Sequence, residues 1–285
     1  MAQILTSARF SVAPLTNEVD EPAAALWAKL RGDAEQAAAK DNWLRSFAHI
    51  AVLSHENFAS ALGGHLARKL GDWYITAERL ADLTETAYAE DPGIVASAVA
   101  DLSAIVARDP AADSLLTPFL YFKGFHALQW HRVAHWLWGQ GRTELAHFLQ
   151  SRVSEVFAVD IHPAVPVGRG VFIDHGTGVV IGETAVVGND VSILQGVTLG
   201  GTGKEHGDRH PKVRDGVLLA VGAKVLGNIE IGRFAKVGAG SVVLKNVPPG
   251  ATVAGVPAKV VGWSTSDQAP AVEMDMSLPE PEYAI

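Results

Sequence analysis

Two hydrophobic periods divide the chain. From residue 22 to about 155, apolar side chains recur at three- and four-residue spacings, as in AAALWAKL, IVASAVADLSAIVA and FHALQWHRVAHWLW. That is the period of helices packing one face inward. EDPG at 90–93 and RDPAAD at 108–113 interrupt it with prolines that cannot continue a helix, and GQGR at 139–142 does so with glycines. The pattern predicts about six to eight helices. The tryptophans of LQWHRVAHWLWGQGR keep the helical spacing, so they read as core or subunit contact rather than a base-stacking platform.

After VDIHP the period changes to six. Ile161, Val167 and Ile173 follow it, then Ile181, Val187, Ile193 and Leu199, then Leu219, Val225, Ile231, Val237 and Val243. Glycine comes directly after several of them, at Gly168, Gly182, Gly188, Gly200 and Gly232. A fixed six-residue repeat of this kind is the signature of a solenoid of short parallel strands, in which branched aliphatic side chains stack coil on coil and glycine permits the tight corners. The predicted fold class is therefore α+β, an all-helical domain followed by a parallel β-helix. Two departures break the ladder: DHGTG at 174–178, which stretches one interval to eight residues, and the polar, glycine-rich GGTGKEHGDRHPKVRDG at 200–216. Insertions in a solenoid protrude from its wall, which makes both candidate site elements.

Composition narrows the function classes. Of 285 residues 48% are hydrophobic, enough for sizeable cores. The formal charge is −8, but residues 260–285 hold five of the 31 acids and no Lys or Arg, which leaves 26 acids against 23 bases elsewhere. No basic stripe marks a nucleic-acid partner. No apolar run has the length of a membrane span, and the first twenty residues lack the basic start and apolar stretch of a leader, so no membrane role and a cytoplasmic location are expected. The absence of cysteine excludes disulfides, thiolate zinc sites and a cysteine nucleophile, and fits a reducing compartment.

The motifs RDPAAD, TPFLYFKGFHALQWHRVAHWLW, VDIHPAVPVGRGVFIDHGTGVVIGETAVVGNDVSILQGVTLGGTG, GDRHPKVRDGV and VGAGSVVLKNVPPGATVAGVPAKVVG together resemble the serine acetyltransferases, over roughly residues 22–262. The resemblance implies a left-handed β-helix, trimers along its axis and a homohexamer joined through the helical domains. It also implies transfer of acetyl from acetyl-CoA to the hydroxyl of L-serine, the first step of cysteine biosynthesis, with L-cysteine as feedback inhibitor. Four segments are expected: an arm at 1–21, the helical domain at 22–157, the catalytic β-helix at 158–262 with the loop 200–216, and a flexible acidic tail at 263–285.

Removing the proton of a serine hydroxyl needs a base, and histidine, with an ordinary pKa of about 6.5, suits the task. His175 in the stretched interval is the candidate, pushed outward into a groove between subunits. By family match Asp160, fifteen residues earlier, orients the imidazole; a cap on the first coil is its alternative reading. Asp109 and Asp174 would receive the substrate ammonium, while Arg209 and His210 would hold its carboxylate. Asp109, before a proline, also reads as an ordinary turn residue. Glu183 matches a carboxylate near the site in relatives, with a solvent-facing corner as the alternative. Gly201, Ala239 and Gly240 would let the pantetheine arm of acetyl-CoA approach the coil edge, and Lys236 and Lys259 would meet its phosphates. Val221 stands where the family usually has a smaller residue. The resemblance further implies that Ile285, the last residue, inserts into O-acetylserine sulfhydrylase. No permanently bound cofactor and no metal are expected.

Other readings fit less well. GGTGK is not a phosphate loop, because Thr198 and Glu205 stand where that motif needs Gly and Ser or Thr. Zinc held by His162, His175, His206 and His210 would leave Arg209 and the pairing of His175 with Asp160 unused. A hexapeptide acetyltransferase acting on another amino acid or a sugar is the nearest alternative, although such relatives mostly lack so large a helical domain.

Overall fold

A computed structural model describes residues 20–203, 206–264 and 268–278. Helices α1 (Asp20–Lys40), α2 (Asn42–Ala48), α3 (Phe58–Leu70), α4 (Ala77–Glu90), α5 (Gly93–Arg108), α6 (Leu116–Tyr121), α7 (Lys123–Gly139) and α8 (Thr143–Phe157) come first. A π-helical turn at His49–Leu53 continues α2. Polar caps start several of them: the Asp41 side chain accepts from the Trp43 N–H at 2.8 Å and that of Asn57 from the Ser60 N–H at 2.9 Å. Helix α7 lies deepest, with Phe125, His126, Gln129, Trp130 and His131 all buried.

The chain then winds into a parallel β-helix with three walls. One holds β1 (Val159–Ile161), β3 (Val179–Ile181), β6 (Thr198–Gly200), β9 (Lys224–Leu226) and β12 (Val242–Val243). The second holds β4 (Val186–Val187), β7 (Lys212–Val213) and β10 (Glu230–Ile231). The third stacks β2 (Phe172–Ile173), β5 (Ser192–Ile193), β8 (Leu218–Leu219), β11 (Lys236–Val237) and β13 (Ala251–Gly255), and ends on the antiparallel β14 (Ala258–Trp263). Val180 pairs with Thr198, three hexads on. Asp160 pairs with Val180, two residues more than that, and Thr198 with Lys224, eight more. The two irregular intervals thus leave the ladder in register and push their extra residues out of it. Of the twelve aliphatic ladder positions all are buried except Val167, which is half-buried and meets Val187 only through an isolated bridge.

Arginines bind the two domains together. Asp101 on α5 is fully buried and accepts from Arg132 Nη2 at 2.7 Å, Gln129 Nε2 at 3.1 Å and the Val171 N–H at 2.9 Å. Arg132 in turn donates to the carbonyls of Val167 and Gly168 at 3.1 and 2.7 Å. Arg108 donates to the Gly170 carbonyl at 2.9 Å and pairs with Asp190 at 3.0 Å. These contacts fix the end of α5 against the coil, and that junction is where the candidate site lies.

Residues 268–278 depart from the expected flexible tail. They form a turn of helix, α9 (Pro270–Glu273), whose Pro270 and Ala271 are buried, and Ser192 Oγ donates to the Ala271 carbonyl at 2.7 Å. Ala269, Pro270 and Ala271 are all buried, and burial of their apolar surface favours the packed segment.

Candidate active site

The eight-residue interval after Ile173 makes a corner in which His175, Gly176 and Gly178 all take left-handed φ, of 55°, 72° and 76°. Glycine adopts this region freely and histidine does so at a cost, a feature that recurs at functional sites. The turn throws the imidazole outward, with 73% of the side chain exposed, and keeps Asp174 beneath it at 23%. His175 Nε2 stands 3.9 Å from Asp174 Oδ1, an electrostatic contact too long for a hydrogen bond. Burial raises the Asp174 carboxyl above its ordinary range; His175 opposes the shift and nearby Asp109 adds to it. Asp109 is the C-cap of α5, its Oδ1 taking the Ala111 N–H at 2.8 Å. The helical domain thus supplies one carboxylate, Asp109, close enough to act on that of Asp174, which the coil holds beside an exposed imidazole. Two like charges in one place favour a cation between them.

A second group gathers around the inserted loop. Arg209 Nη2 donates to Glu183 Oε2 at 2.7 Å and Nη1 to the Gly207 carbonyl at 3.0 Å. That pairing is what chiefly holds the Glu183 carboxyl below its ordinary value. His210 is buried over Gly182, where a Cβ would lie 2.2 Å from its Nε2. The Thr184 N–H points at His210 Nδ1 at 3.2 Å, so Nδ1 accepts and Nε2 carries the proton of the neutral ring. Burial and the adjacent Arg209 push the His210 pKa down. Thr184 Oγ1 also accepts the N–H groups of Arg209 and His210, at 2.9 and 3.1 Å, so this one hydroxyl sets the posture of both.

Asp160 points out of β1, between the buried Val159 and Ile161. Its Oδ1 takes a 2.7 Å hydrogen bond from Gln150 Nε2, and among the described residues no hydrogen bond joins Asp160 to His175. The turn at Ala158, left-handed at φ 57°, folds α8 back over β1 and brings Gln150 onto the carboxylate. Among the described residues no hydrogen bond or ion pair joins the group of Asp109, Asp174 and His175 to that of Glu183, Arg209 and His210.

Below His175 the corners of successive coils are stripped of side chains. Gly178, Gly196, Gly222 and Gly240 stack with φ of 76°, 71°, 69° and 66°, and Cβ positions at Gly178 and Gly196 would each lie 3.7 and 3.5 Å from the next glycine. Ala239 and Gly240 are exposed at the foot of this column, and the Val221 carbonyl accepts the Gly240 N–H at 2.8 Å. Gly201 instead lies by the second group, its Cβ position 3.6 Å from His210 Nε2.

The profile of the serine acetyltransferase N-terminal region matches residues 26–130. A serine acetyltransferase of Escherichia coli strain K12 is 56% identical over 250 residues, covering 88% of this chain and 91% of the relative. The chain belongs to the serine acetyltransferase family. A solved serine acetyltransferase in complex with cysteine matches it with a TM-score of 0.88 at 50% identity, over 90% of this chain and 99% of that one. That of Brucella abortus strain S19 in complex with coenzyme A matches with a TM-score of 0.83 at 48% identity, over 84% and 96%. The fold is accordingly a helical domain followed by the left-handed hexapeptide β-helix of the serine acetyltransferases, and the chain is an acyltransferase.

Two expected acetyl-CoA contacts of this serine acetyltransferase family member differ in setting. Lys259 is exposed on β14, whereas Lys236 is nearly buried and stands 3.6 Å from Asp275 of the packed C-terminal segment. Ile285 lies outside the described residues. Gln150, Thr184 and Lys123, whose Nζ donates to Thr177 Oγ1 beside His175, escape a reading of the sequence. Nothing in the six-residue period marks them. Among the described residues no helix is long and apolar enough to cross a membrane, and no three His, Cys, Asp or Glu side chains converge closely enough to hold a metal ion.

Proposed function

We propose that this chain transfers the acetyl group of acetyl-CoA to the hydroxyl of L-serine, releasing O-acetyl-L-serine and CoA, by direct attack within a ternary complex. His175 takes the hydroxyl proton as the serine oxygen bonds to the thioester carbonyl carbon. The tetrahedral oxyanion is held by backbone N–H groups of the groove, and as the C–S bond breaks the imidazolium returns the proton to the CoA sulfur. The carrying observation is Asp174 beside the exposed ring of His175, with Asp109 near enough to act on its carboxylate, a receptor for the substrate ammonium next to a base.

Arg209 and His210 receive the carboxylate, with Glu183 bracing the guanidinium. Because no hydrogen bond or ion pair joins the two groups among the described residues of one chain, the complete pocket is formed where a second copy brings its own loop to the His175 corner. That supports trimers, and the exposed Trp43, Trp73 and Tyr74 of the helical domain support their joining into a hexamer. The stacked corners support a course for the pantetheine arm down from His175, with Gly201, Val221, Ala239, Gly240, Lys236 and Lys259 as contacts. L-cysteine shares the ammonium and carboxylate of serine and would bind the same groups as inhibitor, as the relative solved with cysteine suggests. Ile285 serves as the sulfhydrylase-binding residue, and the enzyme is cytoplasmic.

CoA release by the purified protein, with serine, homoserine and galactosides compared side by side, tests the reading. Turnover with serine, suppressed by added cysteine, is expected; preference for homoserine or a galactoside would overturn it.

A further inference from the structure

Helix α8 turns one face away from the core. Ala146, Leu149, Val153 and Phe157 turn into the core, while His147, Gln150, Ser151, Ser154 and Glu155, also three and four residues apart, line a cavity of about 420 Å³ that Asp160 completes. Across it Gln150 Nε2 donates to Asp160 Oδ1 at 2.7 Å. A carboxylate only accepts, so the amide end facing it is nitrogen, and Gln150 Oε1 faces His147 Nδ1 at 3.1 Å. That oxygen only accepts, so His147 carries its proton on Nδ1. The donors run one way, from His147 to Gln150 to Asp160, and end on one carboxylate oxygen.

The corner that carries His175 touches the start of the same strand. The Gly178 N–H donates to the Ala158 carbonyl at 2.8 Å, and a Cβ at Gly176 would lie 3.0 Å from Val159 Cγ2. Asp160 is the next residue and faces outward.

We propose that Gln150 is a positioning residue for acetyl transfer: by holding Oδ1 of Asp160 it turns Oδ2 toward the imidazole of His175. This rests on the reading of Asp160 as the partner of His175. Gln150 touches neither substrate nor the reacting atoms, so its effect passes wholly through Asp160. An orienting carboxylate acts by fixing the ring's tautomer and stabilising the imidazolium, and both require its own rotation to be stopped.

The test is steady-state kinetics and thermal melting on the full-length protein carrying Gln150→Leu, Asp160→Asn and both together. Gln150→Leu is expected to lower kcat about 10-fold, the worth of one hydrogen bond to a charged group, with both KM values and the melting midpoint close to wild type. In the Asp160→Asn background it should lower kcat no further. Gln150→Met keeps the length of the side chain and loses the donor without adding a charge beside Asp160; it should show the same loss of kcat, and it replaces the leucine variant if that one melts early. Wild-type kcat in the Gln150 variants beside a crippled Asp160→Asn enzyme would overturn the inference and leave the Asp160 reading intact. Losses that multiply in the double variant would overturn it too. Wild-type kcat in Asp160→Asn would bring down the Asp160 reading itself.

Discussion

Gly124, at the start of α7, lies so close to Ile173 that a Cβ on it would stand 2.0 Å from the Ile173 carbonyl oxygen. Gly176 completes the fit, with its own Cβ position 3.4 Å from Gly124 Cα. The approach seats the helix against the backbone immediately before Asp174 and His175. Gly124→Ala must therefore push helix and corner apart, at a cost of about 1–3 kcal/mol as for other overpacked sites. A lower melting midpoint together with reduced kcat is expected, and unchanged values of both would show that the contact relaxes freely.

The pair of carboxylates near His175 has a separable role. Removing one charged partner of an ammonium costs about 1.5–3 kcal/mol, or roughly 10- to 100-fold. Asp109→Asn should therefore raise the KM for serine by that factor, with the KM for acetyl-CoA unchanged. An equal rise in both would assign Asp109 to the joint between domains instead.

Asp101 and Arg132 should matter for stability. Asp101 has no exposure and four donors, three of them charged or amide side-chain nitrogens from α7. Asp101→Ala leaves Arg132 buried without its counter-ion, and breaking such a pair costs about 3–5 kcal/mol. Chemical denaturation should show that loss as a shift in midpoint.

Burial holds His65 down to about 4, and His126 and His131 to about 3. In the unfolded chain a histidine titrates near 6.5, so below that pH the unfolded state binds more protons. The contribution of these neutral rings is complete above about pH 6.5 and is lost as pH falls toward their folded values, at about 1.4 kcal/mol per pH unit for each ring. Melting midpoints should be level above neutrality and fall steeply between about pH 6 and 4. A flat profile through that window would contradict the assignment of all three as neutral.

The coil was legible because its six-residue period is a direct consequence of its shape: Ile181, Val187, Ile193 and Leu199 all face one axis and all are buried. The end of the helical period was equally plain, with α8 closing at Phe157 and β1 opening at Val159. His175 stood out because the ladder lengthens around it. What stayed hidden were contacts between elements whose spacing carries no period. Gln150 reaches Asp160 only because Ala158 turns left-handed, and Thr184 governs His210 across 26 residues through an inserted loop. The packing of Ala269 to Ala271 was obscured for a different reason, since three small residues in an acidic segment carry little apolar signal.

The central claim is that His175 removes the serine proton, and the most direct measurement is serine-dependent CoA release by the His175→Ala enzyme. General-base catalysis contributes about 10²- to 10⁴-fold, so kcat should fall by that factor while serine binding, measured by calorimetry, changes little. A His175→Ala enzyme that turns over at near the wild-type rate would contradict the account.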